Sequence, residues 1–190
     1  ARSAHKLIEI DLKHHFLNPG KTILDLGASP GGWTQVCLDR LRGRGRVIGV
    51  DLLDLDASVA SRPHLDFVKG DLRHPDTLAR LDALLRVSSA AGEEPERPPQ
   101  VDVVLSDMLG NTSGNDVRDA QNSLELCELV VDLSQRYLTS EAEGTVVFKI
   151  FQSQDAAEWK KDRLEKLFKK ISIFKPVSSR KESREVYYIC

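Results

Sequence analysis

Apolar positions along the chain alternate between two periods, and the alternation lays out an ordered series of elements. Residues 4–15 place Leu7, Ile8 and Leu12 on one face at helical spacing, with Pro19-Gly20 as a stop. Ile23, Leu24 and Leu26 form a short apolar run that enters a glycine-rich turn. Val36, Cys37, Leu38 and Leu41 then return to helical phase, so the stretch predicts strand, tight loop and helix. Further strands are predicted over 47–52, 64–71, 101–105, 144–151, 171–174 and 185–189. Helices are predicted over 75–87, which opens on Pro75, over 120–137 and over 156–170. Residues 88–100, rich in Ser, Ala, Gly, Glu and Pro, carry no apolar period and read as an exposed, mobile insertion, and 111–115 as a polar loop.

Strands alternating with helices imply an α/β domain with a doubly wound, mostly parallel sheet of seven strands. The last strand follows the sixth through the turn-forming stretch 176–184 with no helix between them, so it is expected to run antiparallel. In such a sheet, ligands sit beyond the carboxyl ends of the strands. Gly27 to Gly32, Asp51, Asp71, Asp107 and Lys149 all fall at that edge, on five separate strands. The glycine turn has the spacing G-x-x-x-G-G and not G-x-G-x-x-G, so by itself it is either a nucleotide cradle or a plain strand-to-helix connection. Asp51 lies 24 residues beyond Gly27, where βαβ nucleotide sites carry a carboxylate for ribose hydroxyls.

Length and charge narrow the picture. A chain of 190 residues with 41% hydrophobic content suits one domain, 1–190, with a substantial core. It contains no apolar run of membrane-spanning length and no signal peptide, so a soluble protein is expected, probing no membrane. Cys37, Cys127 and Cys190 are too widely spaced for a zinc pattern or a disulfide framework, which suits a reducing compartment. The net charge of −2 divides into +2 over 1–22, −9 over 23–155 and +5 over 156–190. Basic ends flanking an acidic middle make a phosphate-binding surface if they meet in the fold. Lys160, Lys161, Arg163, Lys166, Lys169 and Lys170 can equally be the solvated face of a helix. Lys149, among Val146, Val147, Phe148, Ile150 and Phe151, is either buried for a purpose or snorkels from an edge strand.

Taken together, several stretches resemble one family, the FtsJ-type (heat-shock-type) ribosomal RNA ribose 2'-O-methyltransferases. They are Arg2-Ser3-Ala4-His5-Lys6-Leu7, Asp25-Leu26-Gly27-Ala28-Ser29-Pro30-Gly31-Gly32-Trp33, Val50-Asp51-Leu52-Leu53, Gly70-Asp71, Leu105-Ser106-Asp107-Met108, Val147-Phe148-Lys149 and 179–187. The resemblance implies a Rossmann-like, S-adenosylmethionine-dependent methyltransferase fold with Lys6, Asp107, Lys149 and Glu185 as a K-D-K-E catalytic tetrad. It implies cofactor contacts from Gly27, Pro30, Gly31, Gly32, Trp33, Asp51, Leu52, Asp71, Leu72 and Asp107, with Asp51 on the ribose and Asp71 near the adenine amine. No metal is implied. Lys160, Lys161, Arg180, Lys181 and Arg184 are the expected RNA contacts, and ribosomal RNA or a pre-ribosomal large subunit the expected partner of a monomer. One departure stands out: Leu109-Gly110-Asn111 replaces the usual Ala-Pro-Asn after Ser-Asp-Met, which bears on substrate fit more than on chemistry. The Arg-Ser-Ala start and Ser-Arg-Lys-Glu-Ser ending are most similar to the mitochondrial large-subunit branch. This implies a uridine target, a trimmed start at Ala1 and the mitochondrial matrix, with a bacterial-type cytoplasm as the alternative.

The chemistry implied requires these residue types. A ribose hydroxyl is a poor nucleophile, so a base takes its proton as the methyl is attacked in line. A lysine serves where burial and a second cation favour its neutral amine, and Lys6 would supply that cation to Lys149. Glu185 would orient Lys149 or Lys6, and Asp107 would steer the amine and offset the sulfonium charge. The alternatives are a cap or transfer-RNA ribose methyltransferase, a catalytically inactive RNA-binding relative, and a dinucleotide-dependent oxidoreductase, the last disfavoured by the glycine spacing.

Overall fold

A computed structural model describes residues 2–87, 100–108, 115–140, 144–180 and 182–190. The elements, in chain order, are α1 (Arg2–His14), β1 (Thr22–Leu26), α2 (Gly32–Leu41), β2 (Arg46–Asp51), α3 (Ala57–Ala60), β3 (Leu65–Lys69), α4 (Pro75–Val87) and β4 (Val103–Ser106). There follow α5 (Asp116–Tyr137), β5 (Thr145–Phe151), α6 (Gln154–Trp159), a π-helical segment (Lys160–Leu164), α7 (Glu165–Leu167), β6 (Ser172–Phe174) and β7 (Glu185–Ile189). The expected insertion at 88–100 and the polar loop at 111–115 fall almost wholly outside the described residues, as do Leu109-Gly110-Asn111 and Lys181.

The seven strands form one sheet in the order β3-β2-β1-β4-β5-β7-β6, the first five parallel and β7 antiparallel to both of its neighbours. Period-two alternation divides the strand residues between two apolar layers. Leu24, Leu26, Ile48, Val50, Phe148 and Ile150 face α4, α5 and the α6–α7 segment. Ile23, Val47, Leu105, Val147, Tyr187 and Ile189 face α1 and α2. Both faces of the parallel strands are therefore covered, which is why these strands read as continuous apolar runs.

Element bounds shift by a few residues throughout, and three points bear on the site. The helix predicted over 156–170 begins at Gln154, capped by the Ser153 hydroxyl, passes through a π-helical turn and ends at Leu167. Lys169 and Lys170 therefore lie beyond it. The short α3 has no periodic signature in four residues; it buries Val59 alone. Strand β5 lies between β4 and β7, so Lys149 is on an inner strand and the edge-strand alternative is excluded.

Candidate active site

The site grows from the end of β1. Gly27 turns the chain with φ +77°, and a Cβ there would lie 2.2 Å from the Met108 side chain, so only glycine lets the two loops meet. Beyond it a cleft of about 550 Å³ opens at the carboxyl edge of the sheet, lined among others by Gly27, Ser29, Asp51, Leu52, Asp71 and Leu72. The Asp51 carboxylate accepts the Ser29 N–H at 2.9 Å and the Leu53 N–H at 2.8 Å, which ties the glycine turn to the tip of β2. Asp71 accepts the Arg73 N–H at 2.9 Å. Two strand-tip carboxylates are thus held by backbone donors with acceptor capacity left over for a ligand.

This donor set fits S-adenosylmethionine. Its volume lies within the range of about 300–1,000 Å³ usual for small-molecule clefts. Fixed carboxylates match the hydroxyls of a ribose and the amine of a purine, and Leu52, Leu72 and Met108 provide apolar wall for a base. Not every predicted cofactor residue lines it. Pro30, Gly31 and Gly32 shape the turn into α2 without lining the cleft, and Gly31 needs its φ of +119° there. The Trp33 side chain must be reassigned. Its indole N–H donates to the Ser3 carbonyl at 2.9 Å, its ring packs on Tyr187 at 5.7 Å between centroids, and it is buried in the α1–α2 layer. The motif placed it correctly in the chain, but its large apolar ring is satisfied by the core.

Beside the cleft, the four tetrad residues come together as two ion pairs. Lys149 Nζ donates to the Asp107 carbonyl at 2.6 Å and to its Oδ1 at 3.0 Å. Lys6, on α1, pairs with Glu185 at 2.5 Å. Sheet register explains the meeting. Lys149 stands opposite Tyr187 and Phe151 opposite Glu185, and in an antiparallel pair facing residues point to one side, so Lys149, Glu185 and Tyr187 share the face covered by α1. Both lysines are 9% exposed. Burial alone would push the Glu185 carboxyl up, but the Lys6 hydrogen bond and the charges of Lys6 and Lys149 outweigh it and hold that carboxyl below its ordinary value. Glu185 therefore orients Lys6, and Asp107 orients Lys149.

Sequence reasoning passed over two contributors. Tyr187 donates its hydroxyl to Asp107 Oδ1 at 2.7 Å, and burial together with that carboxylate raises the phenol, which keeps it a donor. Its position two residues after Glu185 on one strand is the signal that could have found it. Asn122, Glu125, Leu126 and Leu129 of α5 also line the cleft, and their spacing is one helical stripe.

The expected RNA contacts are divided. Arg180 and Arg184 are exposed on the approach to Glu185, beside the tetrad. Lys160 and Lys161 lie instead on the helix that returns to the amino edge, Lys160 about 9 Å along it from Gln154. Lys160 is paired with Glu165, and Arg163 with Glu128 and Asp132. That stretch is largely charge-compensated, and it does not join Arg180 and Arg184 in one surface.

The FtsJ-like methyltransferase family model matches residues 1–190. Over 189 residues, all of this chain and 78% of its relative, the sequence is 38% identical to a Thiobacillus denitrificans protein named ribosomal RNA large subunit methyltransferase E. A Pseudomonas fluorescens protein of the same name is 39% identical with 82% of it covered. Among solved structures, a Plasmodium falciparum protein described as a ribosomal RNA methyltransferase superposes with a TM-score of 0.81 at 27% identity, over all of this chain and 96% of that one. Aeropyrum pernix fibrillarin, solved with S-adenosylmethionine natively bound, shares the fold alone, at a TM-score of 0.57 and 17% identity over 98% of this chain and 72% of that one. With a family match along its whole length, relatives alike over nearly all of it and a cleft of fitting chemistry, the chain belongs to the FtsJ-like methyltransferase family.

Proposed function

We propose that the protein transfers a methyl group from S-adenosylmethionine to a ribose 2'-hydroxyl of large-subunit ribosomal RNA. The observation that carries this reading is the pair of buried lysine–carboxylate contacts, Lys149–Asp107 and Lys6–Glu185, set on one face of the sheet beside the cleft. When bound, S-adenosylmethionine supplies an electrophilic methyl on a sulfonium. The chain's own residues do the rest. Asp51 accepts from the ribose hydroxyls, Asp71 from the adenine amine, and the carboxyl edge brings the RNA ribose against the tetrad. With its amine neutral, Lys149 takes the hydroxyl proton on Nζ, and the carbonyl and Oδ1 of Asp107 accept its two N–H groups and so aim the lone pair. Lys6, fixed by Glu185, places a second positive charge where the alkoxide develops. Alignment of this kind lowers a barrier by several kcal/mol, up to roughly 7–11 in the best cases.

The names of the bacterial relatives support the RNA class. A uridine target and the mitochondrial matrix rest on the likeness of the two sequence ends to the mitochondrial branch, and a monomeric state on the family resemblance. The test is transfer of tritiated methyl to large-subunit ribosomal RNA, transfer RNA and capped messenger RNA in parallel, followed by mapping of 2'-O-methyl groups in cells with and without the protein. Loss of one large-subunit mark is the expected result. Methyl transfer to transfer RNA or a cap alone would replace the substrate, and tight S-adenosylmethionine binding without transfer to any RNA would mark an inactive relative.

A further inference from the structure

Because the helix after β5 stops at Leu167, Lys169 and Lys170 leave its solvated face and line a groove of about 1000 Å³. Thr145 at the start of β5, Ser172 at the start of β6 and Ile189 at the end of β7 also line it, which puts it at the amino edge of the sheet, opposite the cleft. Its wall is apolar at Phe16, Leu167 and Phe168, and among its described lining residues there is no Asp or Glu.

His14, the last residue of α1, lines the same groove and keeps a buried Nε2 with no hydrogen-bond partner among the described residues. Desolvation and the charges of Lys13, Lys170 and His15 all work against its protonated form. Positive charge from both ends of the chain, Lys13 and Lys170, therefore meets here, whereas sequence charge alone pointed to the lysine-rich helix. A strip of further cations leads to it from the catalytic edge. Along the outer strand β6 stand Lys175 and Lys13, whose Nζ lies 4.9 Å from the Phe174 ring centroid, and beyond them is Arg180.

We propose that this groove is a second RNA site, which holds backbone phosphate of the strand that continues from the target nucleotide. Lys169 and Lys170 neutralise phosphate, and the apolar wall takes a sugar or base face. From Lys149 to Thr145 the separation along β5 is about 13 Å, so a few nucleotides bridge the two sites. The proposal rests on the RNA-methylating reading above.

The test uses the full chain and a 5'-fluorescent oligouridylate of about twenty nucleotides, titrated by anisotropy over a salt series. Lys169→Gln with Lys170→Gln is expected to weaken binding about tenfold near 0.1 M salt and to make the log–log salt slope shallower by about 1.4, the loss of two single-strand phosphate contacts. Lys160→Gln with Lys161→Gln removes the same charge elsewhere and should leave affinity within about twofold. Bound oligouridylate should also shield Lys169 and Lys170, and not Lys161, from acylation. S-adenosylmethionine affinity, equal in all three proteins, reports that each is folded. Parental affinity and slope in the Lys169/Lys170 variant overturn the site, as does an equal loss in both double variants, which would mean net charge alone. The parent's methyl transfer to large-subunit ribosomal RNA separates the two ideas. If transfer occurs and the groove variant binds like the parent, only the groove fails; if the parent neither binds RNA nor transfers methyl, the functional reading fails with it.

Discussion

Lys149 is the residue on which the chemistry turns, and its surroundings say which substitutions are informative. It is held by two acceptors of one aspartate, in a strand whose other inward residues are apolar. Lys149→Ala should bind S-adenosylmethionine nearly normally and lose methyl transfer by roughly two to four orders of magnitude, the usual value of a positioned base. Lys149→Arg should not restore it, because a guanidinium stays protonated and cannot accept a proton. Single-turnover transfer measured on both variants checks this, and near-normal turnover in the arginine variant would shift proton removal to Asp107 or solvent. Asp51 offers a separate test of the cofactor end. Its carboxylate fixes two backbone N–H groups as well as facing the cleft. Asp51→Ala should weaken S-adenosylmethionine by on the order of 1.5–3 kcal/mol in calorimetry, the worth of hydrogen bonds to a charged acceptor.

At the scale of elements, the tetrad depends on α1 and the chain around 176–184 staying in register, since Lys6 rides on one and Glu185 ends the other. Glu9, one turn beyond Lys6, clamps them: its carboxylate accepts the Val177 N–H at 2.5 Å and the Ser178 N–H at 3.0 Å. Burial opposes the charged form of Glu9, and these bonds help to outweigh it and lower its pKa. Glu9→Ala should destabilise the fold by about 1–3 kcal/mol in urea titrations and lower turnover, while S-adenosylmethionine affinity stays unchanged. Loss of cofactor affinity in that variant would show that the clamp acts on the whole carboxyl edge. Nothing in the sequence pairs Glu9 with residues 168 and more positions away, because a side-chain bond to backbone leaves no periodic trace. What was legible was local. Strand–turn–helix order, the antiparallel last strand and the strand-tip carboxylates follow from period, punctuation and the absence of a crossover helix. The insertion of β7 between β5 and β6 was not, since a three-residue edge strand carries too little pattern to state its neighbour. For the same reason the end of the lysine-rich helix was misplaced: lysines suit a helix face and an extended exit equally well. Trp33 shows a different limit, as motif spacing locates a residue along the chain but not the direction of its ring.

Seen as a whole, the molecule gathers carboxylates at one edge of the sheet, and one of them answers to pH. Asp25, the last residue but one of β1, is 1% exposed, and its Oδ2 accepts the Thr34 hydroxyl at 2.6 Å. Burial, with the charges of Asp107 and Asp51 added, pushes it up to about 7 despite the Thr34 hydrogen bond. In the unfolded chain an aspartate titrates near ~3.9. Between those values the folded state keeps a proton that the unfolded state has lost, so the unfolded state binds fewer protons and this group's contribution to stability falls as pH rises from about 4 to about 7. Glu185 has the opposite sign. Its folded value is lowered, so its contribution is present above the ordinary carboxylate range and is lost as pH falls through the folded value. The two windows are separate, and a difference measurement isolates Asp25. Asn offers the acceptor and donor of a neutral carboxyl without the titration, so Asp25→Asn should gain stability relative to the parent as pH rises. The gain between pH 4.5 and 7.5 should be on the order of a few kcal/mol, most of it accrued by pH 7. Urea unfolding of both proteins at three pH values in that range measures it. A constant difference would mean that Asp25 is ionised in the folded protein throughout, its charge met by groups of the carboxyl edge.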